Sequence, residues 1–355
     1  MLKKYSANLV VLLLITQLAA CSSIDYFSHL AKGQFDLLWQ REPVAEVLAD
    51  DEIPDVLRER LVLSQALREF AATALSLPVG DAYTSYTDLQ RDYVVWNVYA
   101  APELSMQSYT WCYPLLGCMA YRGYFEEARA KVAAKELEAE GYEVKVGGVQ
   151  AYSTLGYFDD PLLNTFLFNK EPAFIELLIH ELAHRKLYIK DDTAFNENFA
   201  SAVGYLGARQ WYAASGREDE FQAFTEYKEQ FKILIDFLLA YKERLLQVYT
   251  NDSFTNDQKR HHKEQTMAAL QADYLSLKQE MGWDTRYDRW VATMNNASFA
   301  TLSNYQQWVP VFVRLFEQQG GDWQRFYEAV EQIADLEKPE REKHLTIFLE
   351  AERVN

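Results

Sequence analysis

The 355-residue sequence predicts an α+β fold, in which a small mixed sheet with its helices precedes a largely helical part. Two kinds of strand signal occur before residue 160. Residues 92–100 are rich in β-branched and aromatic side chains, and in residues 142–146 apolar or aromatic side chains alternate with charged ones. After the turn at Asp159-Asp160-Pro161, apolar residues recur at helical spacing almost to the end of the chain. Strands are therefore expected only before residue 160, together with some helices, and helices alone after it.

The composition is that of an acidic globular protein. Hydrophobic residues make up 49% of the chain and charged residues 25%, which excludes a disordered chain and a multi-spanning membrane protein. Lys and Arg number 35 against 52 Asp and Glu, giving a formal net charge of −17. Because nucleic-acid binding depends on basic residues that neutralise phosphates, this balance argues against a nucleic-acid partner.

Residues 1–20 are predicted to be a lipoprotein signal peptide. Lys3 and Lys4 precede an apolar stretch from Leu9 to Leu18, which is too short to span a bilayer comfortably. The following Leu18-Ala19-Ala20-Cys21 resembles the lipobox of bacterial lipoproteins, in which the cysteine receives diacylglycerol and an N-acyl chain. Lipidation of Cys21 would anchor the protein to a membrane. The alternative is an ordinary signal peptide or signal anchor that happens to contain a cysteine.

The predicted location is the bacterial cell envelope. Ser22 follows the cysteine, where many lipoproteins of the inner membrane carry Asp, so the resemblance favours the outer membrane with the protein facing the periplasm. Of the three cysteines, Cys112 and Cys118 then remain. Pro114 and Gly117 between them allow the chain to turn back, and an exported protein meets oxidising conditions. We expect a disulfide; the alternative is two buried thiols.

Helix and strand signals divide the mature chain into a tether and first helix (21–50), a mixed unit (51–216) and a helical subdomain (217–355). Strands are expected at 92–100, around the cysteines within 105–121, and from Tyr142, where Gly147-Gly148 indicates a bulge or a close backbone approach. Helices are predicted at 54–77, 126–140, 171–190, 193–214, 218–249, 257–281, 298–318 and 322–335.

The segment His180-Glu181-Leu182-Ala183-His184 is a His-Glu-x-x-His motif on a predicted helix. Residues four apart project from one face of a helix, so both imidazoles can reach one Zn²⁺. Glu181 adjoins the first ligand, and its carboxylate can take the proton of a water that the zinc acidifies. The alternative interpretation is a pair of ordinary core or surface histidines. With this motif, the α+β unit 51–216 is predicted to be a zincin-like catalytic unit, in which a small mixed sheet lies beside the motif helix.

A catalytic zinc site needs a third protein ligand, and Glu197 is the best candidate. It lies thirteen residues after His184, in the first turns of a helix that Asp191-Asp192-Thr193 can cap. Small residues at helical spacing follow on the same helix: Ala200, Ser201, Gly204, Gly207 and Ala208. They allow a close approach of two helices, which could bring Glu197 under the zinc. Alternatively, Glu197 is a carboxylate stabilised by the helix dipole; Asp191 and Asp192 are weaker ligand candidates and more suited to hydrogen-bonding a histidine.

Several segments resemble the bacterial "putative aminopeptidase" family of zinc-metallopeptidase-like lipoproteins. They are 180–188, 192–197, Tyr121-Arg122-Gly123-Tyr124-Phe125, 147–161, Asn295-Asn296-Ala297, Tyr305 and Val309-Pro310. The resemblance covers most of the mature chain. It implies a lipid-anchored zinc peptidase, with an aminopeptidase as the activity.

Substrate contacts are expected on an edge strand and at polar side chains near the motif. In zincin folds the substrate backbone pairs with such a strand, and Tyr152-Ser153-Thr154 suits this role. Tyr121, Tyr152 and Tyr305 are candidates to stabilise the oxyanion, and Arg122 could bind a carboxylate. For each of them the alternative is ordinary aromatic packing or surface charge.

The sequence therefore predicts a zinc-dependent peptidase, with Zn²⁺ on His180, His184 and Glu197 and with Glu181 as the base. Its partners would be a peptide or protein substrate and, through the N-terminal lipid, a membrane. An aminopeptidase must also hold the substrate's α-amine, and only Asp159, Asp160 and Glu176 lie within sequence reach. Two alternatives stay open: a zinc endopeptidase acting on envelope proteins, and a non-enzymatic envelope lipoprotein with a vestigial zinc site.

Overall fold

In the computed structural model, which describes residues 24–113, 117–151, 159–302 and 307–353, every strand precedes residue 164 and helices follow. The predicted mixed α+β architecture with a helical C-terminal part is confirmed. The helices of the described residues are α1 (24–39), α2 (Val44–Ala49), α3 (Asp55–Thr73), α4 (Glu127–Ala139), α5 (Asn164–Leu167), α6 (Glu171–Ala183), α7 (Thr193–Ala214), α8 (Glu218–Thr250), α9 (Asn256–Met281), α10 (Asp288–Ala292), α11 (Asn296–Thr301), α12 (Val309–Gln318), α13 (Trp323–Ala334) and α14 (Lys338–Arg353).

The strands form three small sheets in the described part of the chain, where the sequence predicts one. Their bounds are β1 (Glu42–Pro43), β2 (Ser85–Thr87), β3 (Val95–Pro102), β4 (Trp111–Tyr113), β5 (Gly117–Met119), β6 (Arg122–Tyr124), β7 (Tyr142–Val149) and β8 (Leu162–Leu163). The sheet orders are β1-β2-β8, β6-β3-β7 and β4-β5. Strands β1, β2 and β8 are only two or three residues long, and β2 lies between the other two.

The sheet that positions the site has β3 at its centre, antiparallel to both neighbours. Strands β6 and β7 are joined through α4, which covers one face with buried Ala130, Ala134 and Leu137. Pairing of β3 with β7 is continuous from Val95↔Val149 to Pro102↔Tyr142, so the bulge alternative at Gly147-Gly148 is wrong. The close-approach alternative holds, because a Cβ on Gly148 would lie 2.3 Å from the Tyr93 ring.

Helix α6 ends at Ala183, seven residues before the predicted end at 190. Asn196 explains the difference, because its side chain accepts from the backbone N–H of Ile189 (2.8 Å) and donates to the carbonyl of the same residue (2.7 Å). Asp191 adopts a positive φ of 63°, and Asp192 caps α7 by accepting from the Phe195 amide. These local bonds hold residues 184–192 in a turn between the two helices.

The predicted helix 298–318 is two helices, α11 and α12, because Pro310 lies in the first turn of α12 and suits a helix start.

Residues 217–353 contribute to two cores. Helices α8 to α11 bury their own cluster around Leu238 and Tyr274, whereas α12 to α14 pack on the core of α6 and α7. The division into 21–50, 51–216 and 217–355 stays a prediction. None of the helices in the described ranges is both long and apolar enough to cross a bilayer.

Candidate metal centre

Three side chains converge where the end of α6 meets the start of α7. His180 lies in the last turn of α6, His184 is its C-cap, and Glu197 begins the second turn of α7. The two Nε2 atoms of the histidines are 3.2 Å apart. Glu197 Oε2 lies 3.4 Å from His180 Nε2, and Glu197 Oε1 lies 3.6 Å from His184 Nε2. The structure therefore brings together the three residues predicted as ligands.

This spacing fits a tetrahedral metal site. Bonds of about 2.0–2.1 Å at tetrahedral angles place neighbouring ligand atoms about 3.3–3.4 Å apart. The three separations in the cluster, 3.2, 3.4 and 3.6 Å, bracket that value. Two imidazoles and a carboxylate also form a donor set that suits zinc. The cluster can hold a metal ion.

The ionisation of these groups also suits metal binding. Burial and the neighbouring His180 lower the pKa of His184 to about 4, so its lone pair is free at neutral pH. Burial opposes ionisation of Glu197, but the hydrogen bond and charge of His180 outweigh it and the pKa is lowered. Burial likewise disfavours protonated His180, but Glu197 and then Glu181 raise its pKa. A metal ion would take the place of that proton.

Glu181 is buried and lines the cavity in front of the histidines. Burial raises the pKa of its carboxyl to about 7. It is not part of the cluster formed by His180, His184 and Glu197. This separation suits a group that handles protons beside the metal and does not bind it.

The two helices approach closely because α7 carries glycine where they cross. A Cβ on Gly204 would lie 2.8 Å from the backbone oxygen of Glu176 and 3.2 Å from His180 Cβ. A Cβ on Gly207 would lie 2.9 Å from the Ile179 side chain. Of the small residues predicted to allow this approach, Gly204 and Gly207 therefore lie at the contact itself, and the approach brings Glu197 within reach of the histidines.

We expect Gly204→Ala to weaken metal binding and to destabilise the fold by about 1–3 kcal/mol, because the added methyl must separate α6 from α7. Thermal unfolding and metal titration measure the two effects. Gly216→Ala is the control, since Gly216 at the end of α7 has a positive φ of 66° but open space around its Cβ position. It should cost about 1 kcal/mol of strain and leave metal affinity unchanged. Equal metal affinity in both variants would contradict the helix-spacing argument.

The outer contacts of the histidines differ. His180 Nδ1 lies 3.4 Å from Ser201 Oγ, one turn beyond Glu197 on α7. His184 Nδ1 is buried and has no hydrogen-bond partner among the described residues. Histidine ligands usually donate their second ring N–H to a neighbouring acceptor, which fixes the ring. Ser201 can serve His180 in this way.

Asp192, a weaker ligand candidate, uses its carboxylate in hydrogen bonds to other residues. Its carboxylate caps α7 and accepts from Arg341 of α14, with Nη2 at 2.6 Å and Nε at 2.9 Å. Both side chains are buried, and the guanidinium also donates to the carbonyls of Ala334 and Leu336. Asp191, the other weaker candidate, has a backbone carbonyl that accepts from Lys338. The start of the helix that carries Glu197 is thus held by the C-terminal helix.

We expect Arg341→Met to destabilise the protein by about 3–5 kcal/mol, because it leaves the buried Asp192 carboxylate without its partner. Chemical denaturation measures the effect. Adding Asp192→Asn to this variant should restore part of the loss, since the uncompensated charge is removed. Arg286→Met, which breaks an exposed pair with Asp284, should change little. A small effect of Arg341→Met would show that the pair does not stabilise the start of α7.

The cluster opens into a cavity of about 710 Å³ between the sheet, α1 and the two metal-site helices. The sheet face opposite α4 lines it with Val95, Asn97, Gly123 and Val149. The other lining residues, from α1, the segments beside the sheet, α6, α7 and the turn between them, are Tyr26, Leu30, Gln34, Met119, Tyr121, Phe125, Ala151, His180, Glu181, His184, Tyr188, Thr193, Asn196 and Glu197. The lining is mainly apolar, which suits apolar substrate side chains.

The remaining predicted residues fall into two groups. Tyr121 lines the cavity, whereas Arg122 does not line it and stacks on the Tyr26 ring, with Cζ 3.9 Å from the centroid. Tyr152, Ser153, Thr154, Tyr305 and Cys21 lie outside the described residues. Cys112 and Cys118 face each other on β4 and β5 and are joined by a disulfide.

The carboxylates within sequence reach of the substrate amine, Asp159, Asp160 and Glu176, are not among the residues that line the cavity. Asp159 Oδ1 is 3.8 Å from the Arg185 guanidinium, Asp160 is buried, and Glu176 accepts from Lys228 at 2.5 Å. Among the described residues that line the cavity, the acidic ones are Glu181 and Glu197.

A protein-family model described as "Putative aminopeptidase" matches residues 25–345, which include the whole metal cluster, the sheet and α1 to α13 with part of α14. No curated protein and no solved structure matches the chain.

Proposed function

The chain belongs to the "putative aminopeptidase" family, and from this premise we propose that it is a zinc-dependent peptidase of the bacterial cell envelope. The observation that carries the zinc dependence is the convergence of His180, His184 and Glu197 at tetrahedral spacing. The motif order adds support, because a glutamate between two ligand histidines is the arrangement of zinc peptidases.

Each residue has a role set by its position. His180, His184 and Glu197 would hold Zn²⁺, which when bound supplies a Lewis acid that polarises the scissile carbonyl and acidifies water. Glu181 faces the cavity beside them, accepts a proton from the attacking water and passes it to the leaving amine. Tyr121 lines the same cavity and offers a hydroxyl for the developing oxyanion. The apolar wall positions the substrate side chain.

The family name favours an aminopeptidase, but one observation favours an endopeptidase as the second candidate. A free α-ammonium group needs an anionic partner, and the acidic residues among the described cavity lining, Glu181 and Glu197, both have roles at the metal. Cleavage of an internal peptide bond needs no anionic partner of this kind, because no free α-ammonium group is bound.

A paired-substrate assay tests the activity and separates the two candidates. The protein is titrated with zinc, and hydrolysis of a leucine coumarylamide is compared with hydrolysis of internally quenched peptides with free or acetylated N-termini. An aminopeptidase cleaves only free N-termini, and an endopeptidase cleaves both peptides internally. Hydrolysis of neither substrate at one zinc per chain would favour the non-enzymatic alternative, and loss of zinc on gel filtration would refute the metal site.

The envelope location is part of the proposal and is carried by Cys21. We expect Cys21→Ser to abolish labelling by a radioactive fatty acid and to leave the signal peptide uncleaved or the protein unanchored, because the acyl acceptor is lost. Labelling of expressing cells, followed by fractionation, measures both effects. Ser22→Thr, at the adjoining residue, should stay labelled. Unchanged labelling of Cys21→Ser would contradict the lipid anchor.

A further inference from the structure

The first helix, α1, is apolar on two opposite faces. Its inner face is docked on the protein: Tyr26 is buried and donates to the Gly123 carbonyl at 3.0 Å, and Leu37 lies in the main core. Its outer face carries large apolar side chains that remain exposed, with 67% of Ile24, 60% of Phe35 and 77% of Trp39 accessible.

These exposed residues form a continuous row. Ile24, Phe27, Ala31, Phe35 and Trp39 follow at three- and four-residue spacing, which places them along one side of the helix. The rings of Phe35 and Trp39 stack at 5.5 Å. Isolated exposed apolar residues are common on proteins, but a row that runs the length of a helix marks an interaction surface.

We propose that this row, the outer face of α1, lies in the interfacial region of a lipid bilayer. The position of the row in the sequence indicates that its partner is a membrane. The row begins at Ile24, three residues after Cys21, so the proposed acyl chains would enter a membrane next to it. Tryptophan and phenylalanine side chains are favoured at the boundary between headgroups and acyl chains.

One ring of strand β4 lies beside the row. Phe27 packs edge-on against Tyr113 of β4, with ring centroids 5.6 Å apart. With a net charge of −17, the protein has no general attraction to anionic lipids, so this contact depends on apolar insertion.

A membrane contact along α1 would fix the orientation of the whole protein relative to the bilayer. The inner face of α1 lines the cavity through Tyr26, Leu30 and Gln34, so the metal-site cavity would lie directly behind a membrane-bound helix. Substrate would reach the zinc close to the membrane surface. The inference rests on the proposed lipid anchor, but it adds a second contact that a flexible tether would not make.

Site-specific labelling tests the contact in the acylated full chain. The protein is reconstituted into vesicles of phosphatidylcholine and phosphatidylethanolamine, and an environment-sensitive fluorophore is attached at Trp39→Cys or Phe35→Cys. Lipids that carry a nitroxide should quench both labels at least about twofold more than a label at Leu275→Cys, an equally exposed apolar residue of α9. Asp36→Cys, rotated away from the row on α1, should resemble the control.

Equal quenching at 35, 39 and 275 would overturn the proposal. So would labels that are shielded from water but not reached by lipid-borne quencher, because a second copy of the chain or another segment would then cover the face. Membrane fractionation and peptide hydrolysis are measured on the same samples. A protein that stays anchored and active while Trp39 is not quenched would refute this contact and leave the proposed function intact.

Discussion

Replacement of Glu181 by glutamine is expected to reduce peptide hydrolysis about 10²–10⁴-fold and to leave the metal content unchanged. The amide has the size of the carboxylate, so the packing beside His180 is kept, but it cannot accept a proton from water. Glu181 lies in the cavity lining and outside the ligand cluster, which separates the two effects. Steady-state kinetics and elemental analysis of the purified protein measure them.

A matched control is available five residues earlier on the same helix. Glu176 is also a glutamate of α6, but it pairs with Lys228 and does not line the cavity. Glu176→Gln should therefore retain most of the activity. If Glu181→Gln hydrolysed peptides at the rate of the unaltered protein, Glu181 would not be the base.

Replacement of Glu197 by alanine is expected to remove the metal. Two histidines alone lack the third ligand of a catalytic zinc site. The affinity for zinc should therefore fall by more than roughly 10–100-fold, which is the typical loss when a hydrogen bond to a ligand is removed. Competition with a zinc-binding dye measures the affinity, and thermal unfolding with and without zinc gives a second readout. A bound ligand at 100 times its dissociation constant stabilises a protein by about 2.7 kcal/mol, and that increment should vanish in the variant.

Ser201→Ala provides the graded comparison for Glu197→Ala. Its hydroxyl contacts His180 Nδ1 at 3.4 Å and would not touch the metal, so affinity should fall only within the 10–100-fold range or less. His184→Ala should behave like Glu197→Ala. One tightly bound zinc per chain in Glu197→Ala would refute the third-ligand assignment.

Local spacing explains why the metal cluster could be predicted. The motif fixes His180 and His184 on one helical face, and a short turn followed by a helix rich in small residues returns Glu197 to them. The sequence did not reveal where α6 ends, because apolar residues continue past His184 and only the side-chain bonds of Asn196 impose the turn. A local bond from a side chain to the backbone can thus end a helix that apolar periodicity alone would continue.

Contacts between residues distant in sequence were beyond prediction. No pattern links Asp192 to Arg341, which are 149 residues apart, and Arg341 is an unremarkable residue of a charged segment. The role of α1 in lining the cavity was missed for the same reason, since helical periodicity shows that a face is buried but not what covers it. The sequence offers Arg122 as a residue that could bind a substrate carboxylate, but the guanidinium stacks on the Tyr26 ring and does not line the cavity. Alternate residues of an extended chain point to opposite sides, and the sequence does not show which side faces the cavity.

The pairing of Asp192 with Arg341 makes the start of α7 depend on the last helix of the chain. A ribosome releases the chain from its amino end, so His180, His184 and Glu197 emerge well before Arg341. Until the last helix arrives, the start of α7 lacks its buried counter-ion and the carboxylate of Asp192 is uncompensated. A chain that ends before Arg341 should therefore unfold more readily than the whole chain, because it keeps the buried carboxylate and lacks the guanidinium that compensates it.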